Sequence, residues 1–362
     1  MKTVLCVVGA RPNYMKIGPV ITALTAAGIK APLVHTGQHY DESMNDSFFR
    51  DLGLPRPDVN LEVGSGSHAV QTAEIMRRFE PVLDQIAPDA ILVVGDVNST
   101  IACALVAAKK GVRVIHVEAG LRSYDRTMPE EVNRVLTDQI SDLLFTTERA
   151  ALDNLVREGI APERVHFVGN VMIDTLLGHL DRAVPAAETL AGTGIGSGYA
   201  LVTLHRPSNV DEPDVLDRLV GCLSRMAKDV PVVFPIHPRT RGRVEAAGLM
   251  DRLAGPRFAL LPPQGYLNML GLMRSARVVV TDSGGLQEET TALGVPCLTV
   301  RQNTERPITV AEGTNTLVGI DAQAIMAAFA DVLTTGGKAG RSPELWDGRA
   351  ATRIAAVLKV QP

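Results

Sequence analysis

Two short segments in the first half of the chain carry most of its candidate acid/base residues. The first, His116-Val117-Glu118-Ala119-Gly120-Leu121-Arg122, follows an apolar run, and the second, Pro129-Glu130-Glu131-Val132-Asn133-Arg134, comes shortly after it. A continuous apolar run is typical of a parallel strand buried on both faces, and such sheets bind ligands beyond the carboxyl ends of their strands. Another run, Ala90 to Val94, ends in Gly95-Asp96. The sequence therefore predicts a crevice that gathers Asp96, Glu118 and Glu130.

Carboxylates gathered in this way suit general acid/base catalysis, because they raise one another's pKa. For Glu130 and Glu131 a second interpretation stays open. Both follow Pro129, and they could simply supply negative charge to the first turn of a helix, where the helix dipole favours it.

The composition excludes several classes of protein. The chain has 362 residues, 46% of them hydrophobic, and this length predicts two domains. Its net charge of -4 predicts no nucleic-acid partner. The N-terminus has no signal-peptide pattern and no run long enough to cross a membrane. Neither a CxxC pair nor a zinc-ligand spacing occurs, so no metal or other cofactor is expected. Four cysteines in apolar settings indicate free thiols in a reducing cytoplasm: Cys6, Cys103, Cys222 and Cys297.

Apolar runs alternate with helical patterns along the whole chain, which predicts an α/β fold made of right-handed strand-helix-strand units. The first six strands are predicted near residues 4–8, 32–35, 90–94, 113–117, 143–146 and 165–168. The second six are predicted near residues 199–204, 232–236, 258–261, 278–281, 297–300 and 316–318. Two sets of this size indicate two doubly wound domains, at 1–170 and 171–343. Ser67 is expected to cap a helix over 69–83, and residues 344–360 are expected to form one amphipathic helix.

Other predicted strand ends carry groups suited to a diphosphate. A glycine turn at Gly9 opens a helix that contains Arg11 and Lys16, a setting that favours phosphate. His205-Arg206 and, one strand later, His237 could neutralise an anion or move a proton. For these charged groups, exposed surface charge or a structural histidine is the alternative interpretation. The glycine-rich segment 192–198 precedes a strand, so it fails the context of a phosphate loop.

The turn after the strand at 278–281 reads Asp282-Ser283-Gly284-Gly285-Leu286-Gln287-Glu288-Glu289. Its serine and glycines can bring backbone amides close to a pyrophosphate at a helix N-terminus. Glu289, about one and a half turns into that helix, could accept hydrogen bonds from ribose hydroxyls.

These motifs, taken together and in order, resemble the non-hydrolysing UDP-N-acetylglucosamine 2-epimerases over roughly residues 1 to 360. The resemblance rests on the segments already quoted and on several further ones: Gly9-Ala10-Arg11-Pro12, Thr36-Gly37-Gln38-His39, Gly169-Asn170, Thr304-Glu305-Arg306-Pro307 and Gly313-Thr314. It implies the glycosyltransferase-B architecture, in which two Rossmann-like domains face a cleft and the final helix, here about 344–362, packs back on the first domain. A homodimer is implied as well.

The reaction that the resemblance implies inverts C2 of a UDP-sugar by anti elimination of UDP, through a 2-acetamidoglucal, followed by re-addition. Carried over by motif position, the catalytic residues are Lys16, Asp96, Glu118, Glu130 and His205. The UDP-binding residues are Arg11, Arg206, His237, Met269, Ser283, Gly284, Gly285 and Glu289. Candidate sugar or closure contacts are Gln38, His39, Arg122, Arg134 and Arg306.

The sequence departs from the common bacterial pattern at Tyr40-Asp41, where many members carry Arg-Glu in the loop of a regulatory UDP-sugar site, and at Pro207-Ser208-Asn209. Members that act on UDP-2,3-diacetamido-glucuronate resemble the version with Tyr40-Asp41, so the C3 and C6 substituents of the sugar stay open. A hydrolysing 2-epimerase, a UDP-sugar glycosyltransferase and a non-catalytic sensor are the alternatives. The last two would have little use for three carboxylates around one sugar.

Overall fold

The computed structural model describes residues 1–37 and 52–361, except for the side chains of Arg11 and Pro12, and the chain divides into two compact units. Unit 1 comprises Met1–Gly178 and Glu344–Pro362, and unit 2 comprises His179–Pro343. The boundary was expected at residue 170, whereas unit 1 continues to Gly178, near the end of the helix that follows.

Unit 1 is built on a parallel sheet with helices between its strands. Its strands are β1 Val4–Val8, β2 Leu33–His35, β3 Val59–Asn60, β4 Ala90–Val94, β5 Arg113–Ala119, β6 Leu143–Thr146 and β7 Val165–Phe167, in the spatial order β3-β2-β1-β4-β5-β6-β7. Its helices are α1 Arg11–Ala26, α2 His68–Ile86, α3 Asn98–Lys109, α4 Pro129–Ile140, α5 Arg149–Arg157, α6 Val171–His179 and, at the C-terminus, α15 Ala350–Val360.

Unit 2 repeats this arrangement. Its strands are β8 Ala200–Thr203, β9 Val232–Pro235, β10 Phe258–Leu261, β11 Val278–Thr281, β12 Cys297–Thr299 and β13 Asn315–Leu317, in the order β10-β9-β8-β11-β12-β13. Its helices are α7 Ala186–Thr189, α8 Pro207–Val210, α9 Pro213–Asp229, α10 Pro238–Ala246, α11 Tyr266–Ser275, α12 Gly284–Leu293, α13 Pro307–Ala311 and α14 Ala322–Thr335. The strand pairs recorded in both sheets are parallel.

Both strand orders are those of doubly wound Rossmann-like sheets, so the predicted fold class is confirmed. The central strands β1 and β4 are apolar and buried along their length, and β8 and β11 are apolar and buried up to a terminal threonine. Because helices cover both faces of such a sheet, alternation of polar and apolar residues is not needed, and the strands could be recognised as continuous apolar runs.

Two elements differ from the sequence-based expectation. Strand β3 was not predicted, because two residues at the edge of a sheet leave no periodic signal. The expected helix over residues 344–360 is wrong in its first turn and a half, since α15 begins at Ala350. Leu345 has a φ of 61°, outside the helical region, and Trp346 is instead buried, with its Nε1 donating to the carbonyl of Thr147 at 3.1 Å.

The predicted cap of α2 is confirmed. The hydroxyl of Ser67 accepts a hydrogen bond from the backbone N–H of Val70, and the helix extends one residue earlier and three residues later than predicted. Segment 192–198 is irregular and leads into β8, as its position before a strand indicated.

Candidate functional site

The topological switch point of unit 1 lies between β1 and β4, which are neighbours in the sheet although two strands separate them in the chain. In doubly wound sheets, ligands bind beyond the carboxyl ends of the strands at this point. Lys16 lies in α1, directly after β1, while Asp96 follows β4 and Glu118 lies near the end of β5. The fold therefore delivers three of the predicted residues to the carboxyl edge of the sheet.

Lys16 and Glu118 form a buried ion pair between Nζ and Oε2. Glu118 has a φ of 74°, in the left-handed region that side chains other than glycine seldom adopt, and the pairing of β5 with β6 shifts register around it. A bulge of this kind re-aims a side chain, and strained backbone of this kind clusters at functional sites. A Cβ at Gly95 would lie 3.3 Å from both Nζ of Lys16 and Oε2 of Glu118, so a glycine here avoids crowding the ion pair.

Asp96 is held by α4. Its Oδ2 accepts a hydrogen bond from Nη2 of Arg134, and its backbone carbonyl accepts one from Nδ2 of Asn133 at 3.0 Å. Arg134 binds Glu131 through its other terminal nitrogen. The two neighbouring strand ends thus carry carboxylates that each contact a cation, Arg134 for Asp96 and Lys16 for Glu118.

Glu130 and Glu131 occupy different environments although they are adjacent in the first turn of α4. Glu131 is buried and accepts hydrogen bonds from the backbone N–H groups of Ser123 and Tyr124, at 3.0 and 2.9 Å. Glu130 is exposed. Glu131 therefore fixes the loop that precedes α4, whereas Glu130 is the one of the two that a ligand could reach.

Arg122 is buried in unit 1. Its guanidinium binds Asp138 at 2.7 Å, Glu158 at 2.5 Å and the carbonyl of Leu121 at 2.7 Å. Five donors in a rigid fork suit several acceptors at once. Of the predicted sugar or closure contacts in unit 1, Arg122 and Arg134 are thus both engaged with carboxylates of the unit itself.

Unit 2 has its own switch point, between β8 and β11. His205 follows β8, and its Nδ1 lies 2.9 Å from Oδ1 of Asp282, which follows β11. Asp282 is completely buried and also accepts the backbone N–H groups of His205 and Arg206. Burial alone would raise the pKa of Asp282, but these hydrogen bonds and the charge of His205 outweigh it, so the pKa is lowered. The carboxylate orients the half-exposed imidazole through Nδ1 and leaves Nε2 available for a ligand.

The turn after Asp282 has the form of an anion-binding site. Ser283 is the N-cap residue of α12, and its own N–H donates to Oγ1 of Thr281 at 3.0 Å. Gly284 and Gly285 begin the helix, so their backbone N–H groups have no partner within it. A Cβ at Gly284 would lie 2.7 Å from Oε1 of Glu305. The missing side chain therefore lets Glu305 approach the turn.

Glu305 brings arginines to that turn. It binds Arg301 at 2.7 Å and Arg206 at 3.5 Å. Burial acts to raise the pKa of Glu305, but the charges of Arg306, Arg301 and Arg206 outweigh it and lower the pKa. Arg306, a predicted closure contact, binds Glu288 at 2.7 Å instead. The surroundings of the turn therefore hold arginines in excess of Glu305, which suits a diphosphate.

Glu289 lies one and a half turns into α12 and is buried, and its Oε1 has no hydrogen-bond partner among the described residues. Burial raises the pKa of Glu289 to about 8; the nearby Tyr266 hydroxyl partly offsets this, and the charge of Glu288 adds to it. Tyr266 begins α11, and Met269 lies half-buried one turn further along that helix. A buried carboxyl with an unfilled acceptor is ready to gain hydrogen bonds from a ligand.

The remaining predicted residues fall into two groups. His237 is the N-cap of α10, where its Nδ1 accepts the backbone N–H of Arg239 at 3.2 Å, and its ring centroid lies 6.4 Å from that of His205. Arg11 is the first residue of α1, but its side chain lies outside the described part of the structure, as do Gln38, His39 and the segment Tyr40-Asp41.

The sequence did not identify the buried carboxylates that position the predicted site residues. Asp138 was not singled out, and Asp282 was quoted only as part of a motif. A signal existed in α4, where Glu131, Arg134 and Asp138 recur at helical spacing and are all buried. Charged residues on the buried face of a helix indicate a polar network, because a charge without a partner would be too costly there.

Two absences concern the described residues alone. Among residues 1–37 and 52–361, no three or more His, Cys, Asp and Glu side chains are grouped so that they could hold a metal ion. None of the helices in those ranges is long and apolar enough to cross a bilayer.

The fold and the strand-end residues define a two-unit α/β protein with the anion-binding turn and buried carboxyl group of a nucleotide-binding enzyme. The sequence profile of the UDP-N-acetylglucosamine 2-epimerase family matches residues 22–359. The chain therefore belongs to the UDP-N-acetylglucosamine 2-epimerase family, a family of isomerases, as its motifs predicted.

Individual relatives cover nearly all of the chain. A UDP-N-acetylglucosamine 2-epimerase of Methanocaldococcus jannaschii is 41% identical over 358 residues, 97% of each chain. A crystal structure of Methanocaldococcus jannaschii UDP-GlcNAc 2-epimerase in complex with UDP-GlcNAc and UDP matches with a TM-score of 0.91, covering 100% of both chains at 40% identity. The UDP-2,3-diacetamido-2,3-dideoxy-D-glucuronate 2-epimerase of Pseudomonas aeruginosa is 42% identical over 320 residues, 87% of this chain and 88% of that one.

Proposed function

We propose that the protein epimerises C2 of a UDP-2-acetamido sugar, converting UDP-N-acetylglucosamine to UDP-N-acetylmannosamine. Family membership supports the reaction class. One observation carries the assignment to this chain: Asp96 and Glu118, at adjacent strand ends, each contact a cation, and the other unit has a helix-start turn of the form that binds anions.

The proton at C2 is not next to a carbonyl group, so a base alone would not remove it. Cleavage of the bond from C1 to oxygen must lead, and its electron pair leaves with UDP. A carboxylate then takes the C2 proton, a double bond forms between C1 and C2, and the 2-acetamidoglucal results. Return of UDP to C1 and of a proton to the other face of C2 completes the inversion. Asp96, Glu118 and Glu130 are the proposed acid/base groups and stabilise the developing cation, with Lys16 beside Glu118.

Retention of UDP during this cycle is the proposed task of unit 2. We assign the diphosphate to Ser283, Gly284 and Gly285, with positive charge from Arg206 and a proton-carrying group in His205. Arg11 and His237 complete the proposed diphosphate contacts. The unfilled acceptor on Glu289 suits ribose hydroxyls, and Met269, on the helix that begins at Tyr266, suits the uracil.

One specific observation supports a second candidate substrate. The Pseudomonas aeruginosa relative named for UDP-2,3-diacetamido-2,3-dideoxy-D-glucuronate is as similar to this chain as the archaeal UDP-N-acetylglucosamine 2-epimerase. Gln38-His39-Tyr40-Asp41, the segment that resembles such members, lies outside the described residues. Overall similarity therefore does not choose the C3 and C6 substituents, and both sugars belong in the test.

The decisive experiment incubates the enzyme with each UDP-sugar in deuterated water and follows the C2 hydrogen by NMR. The proposal expects exchange of that hydrogen together with formation of the 2-epimer and without accumulation of free UDP. Accumulation of UDP and the free 2-epimeric sugar would identify a hydrolysing enzyme instead. A glycosyltransferase or a sensor would leave the C2 hydrogen in place.

Three further properties belong to the proposal. We infer a homodimer from the family resemblance, and the exposed apolar residues Val132 and Leu136, four apart on α4, offer a surface for a partner subunit. The four buried free thiols suit a cytoplasmic enzyme. The product, an activated 2-acetamido sugar, suits polysaccharide biosynthesis.

A further inference from the structure

A completely buried histidine lies beneath the reacting carboxylates of unit 1. His116 belongs to β5, and both of its ring nitrogens have a partner: Nδ1 lies 2.6 Å from Oδ1 of Asp138, and Nε2 lies 2.8 Å from the backbone carbonyl of Gly95. Both partners are hydrogen-bond acceptors. A neutral imidazole carries only one N–H, so the two contacts together require a proton on each ring nitrogen.

The alternative, a proton on Asp138, is disfavoured by its surroundings. Oδ2 of Asp138 accepts the backbone N–H of Gly120 at 3.1 Å and Nη2 of Arg122 at 2.7 Å. Burial acts to raise the pKa of Asp138, but its partners lower it, and the permanently charged guanidinium of Arg122 does so whatever the protonation state of His116. The carboxylate is therefore an acceptor on both of its oxygens. A buried imidazolium next to a buried carboxylate follows.

These contacts lie on both sides of Glu118, where the backbone of β5 is strained. His116 and Gly120 both bind Asp138, and Glu118, with its left-handed backbone, lies midway between them in the chain. The bond from His116 to the carbonyl of Gly95 joins the same group to the residue that precedes Asp96. The carboxylate of Asp138 in α4 therefore binds the residues on both sides of the Glu118 bulge, and His116 links it to the turn that carries Asp96.

We propose that His116 and Asp138 form a positioning pair that holds Glu118 and Asp96 in register with each other during catalysis. This inference rests on the proposed epimerase activity and adds two residues that touch no substrate. Because displacement of a reacting group by about 1 Å can cost 10²-fold in rate, loss of the pair should act on kcat. Apart from Arg11, which begins α1, the proposed nucleotide-binding residues belong to unit 2, so the affinity for UDP should stay close to its wild-type value.

The main test is His116→Phe, which keeps a ring of similar size and removes both N–H groups. We expect kcat to fall by about 10²-fold while KM and the dissociation constant of UDP stay close to their wild-type values. His116→Gln is the second variant, because its amide can still donate towards Gly95 and it is less disruptive to folding. It should lower kcat by less than the phenylalanine variant, again with KM unchanged.

Asp174→Asn is the matched control. Asp174 is another largely buried carboxylate of unit 1, and it accepts the backbone N–H groups of Ala350 and Ala351 at the start of α15. Its replacement should lower the melting temperature and leave kcat unchanged. Wild-type kcat in His116→Gln, or a parallel loss of kcat and UDP affinity in either histidine variant, would overturn the positioning role.

A second measurement is independent of activity. In protein labelled with ¹⁵N-histidine, His116 should give two ring N–H signals in neutral buffer, identified by their loss in His116→Phe. A single signal would overturn the charged pair. If the wild-type enzyme does not exchange the C2 hydrogen at all, the proposed function fails, whereas the NMR result still decides whether the pair exists.

Discussion

The two units share the strand order 3-2-1-4-5-6, to which unit 1 adds β7, and the carboxyl groups proposed to act in each unit are held in opposite ways. In unit 1, Asp96 and Glu118 each contact a cation. In unit 2, Glu289 lies near another carboxylate and a tyrosine, with an oxygen that no described residue satisfies, and burial raises its pKa to about 8. A carboxylate held by a cation has its charge balanced before any ligand arrives. A buried carboxyl without a cation gains its interactions from the ligand, which is the property of a binding group.

The largest expected effect tests the chemical half of this contrast. Asp96→Asn and Glu118→Gln should each lower kcat by ~10²- to 10⁴-fold, because each removes a proposed acid/base group, while UDP affinity is retained. Steady-state kinetics and calorimetry measure the two quantities. The exposed Asp84, changed to Asn, is the control and should be neutral. A variant at either site with near wild-type turnover would make that carboxylate structural.

Glu130 and Glu131 sharpen the contrast within unit 1. Glu130→Gln should lose turnover and keep its melting temperature, because the side chain is exposed and proposed to act on the substrate. Glu131→Gln should lower the melting temperature, because its carboxylate binds Arg134 and the backbone of the 123–124 loop. Thermal unfolding and kcat of the two variants would be compared directly. Full activity in Glu130→Gln would remove Glu130 from the catalytic set.

The binding half of the contrast predicts a smaller effect, at Glu289. Above about pH 8, where Glu289 is ionised, Glu289→Ala should weaken UDP binding by roughly 1.5–3 kcal/mol, as expected for loss of charge-assisted hydrogen bonds from ribose. Calorimetric titration with UDP measures this loss. An unchanged dissociation constant would contradict the ribose assignment.

The pKa of Glu289 also predicts a pH dependence. Since its folded-state pKa of about 8 exceeds the ordinary 4.5, the folded state retains a proton that the unfolded state releases. Stability due to this group is therefore greatest below about pH 4.5 and falls as the pH rises to about 8. Glu289→Gln should remove the loss, so without ligand its melting temperature should exceed that of wild type increasingly from pH 5 to pH 8. A constant difference across this range would refute the shifted pKa.

The smallest expected effect concerns regulation. It tests whether this chain has the second, regulatory UDP-sugar site. Tyr40-Asp41 stands where many relatives carry the arginine and the glutamate of a second UDP-sugar site, so an arginine that would attract a diphosphate is replaced and the carboxylate of Asp41 would repel it. Conversion of the 2-epimer should therefore start without a lag and show hyperbolic kinetics in the absence of UDP-N-acetylglucosamine. A lag abolished by traces of that sugar nucleotide would mean that the regulatory site survives.

The sequence by itself determined most of the fold, because strands buried on both faces appear as apolar runs that need no tertiary information. It also determined which strand ends carry chemistry, since side chains at the carboxyl ends of parallel strands share one edge of the sheet. Helix α4 marks the limit. From its sequence, Glu130 and Glu131 were equivalent, and only the structure separated an exposed carboxylate from one that binds a loop.

Only the tertiary structure decided how those residues are held. Asp138 lies 22 residues from His116 in the chain, and Asp282 lies 77 residues from His205, so no local pattern joins the members of either pair. The left-handed backbone of Glu118 is equally invisible in a sequence, because such strain persists only where surrounding contacts impose it. Hydrophobic periodicity is a local property of the chain, whereas the partner of a buried charge is chosen by packing.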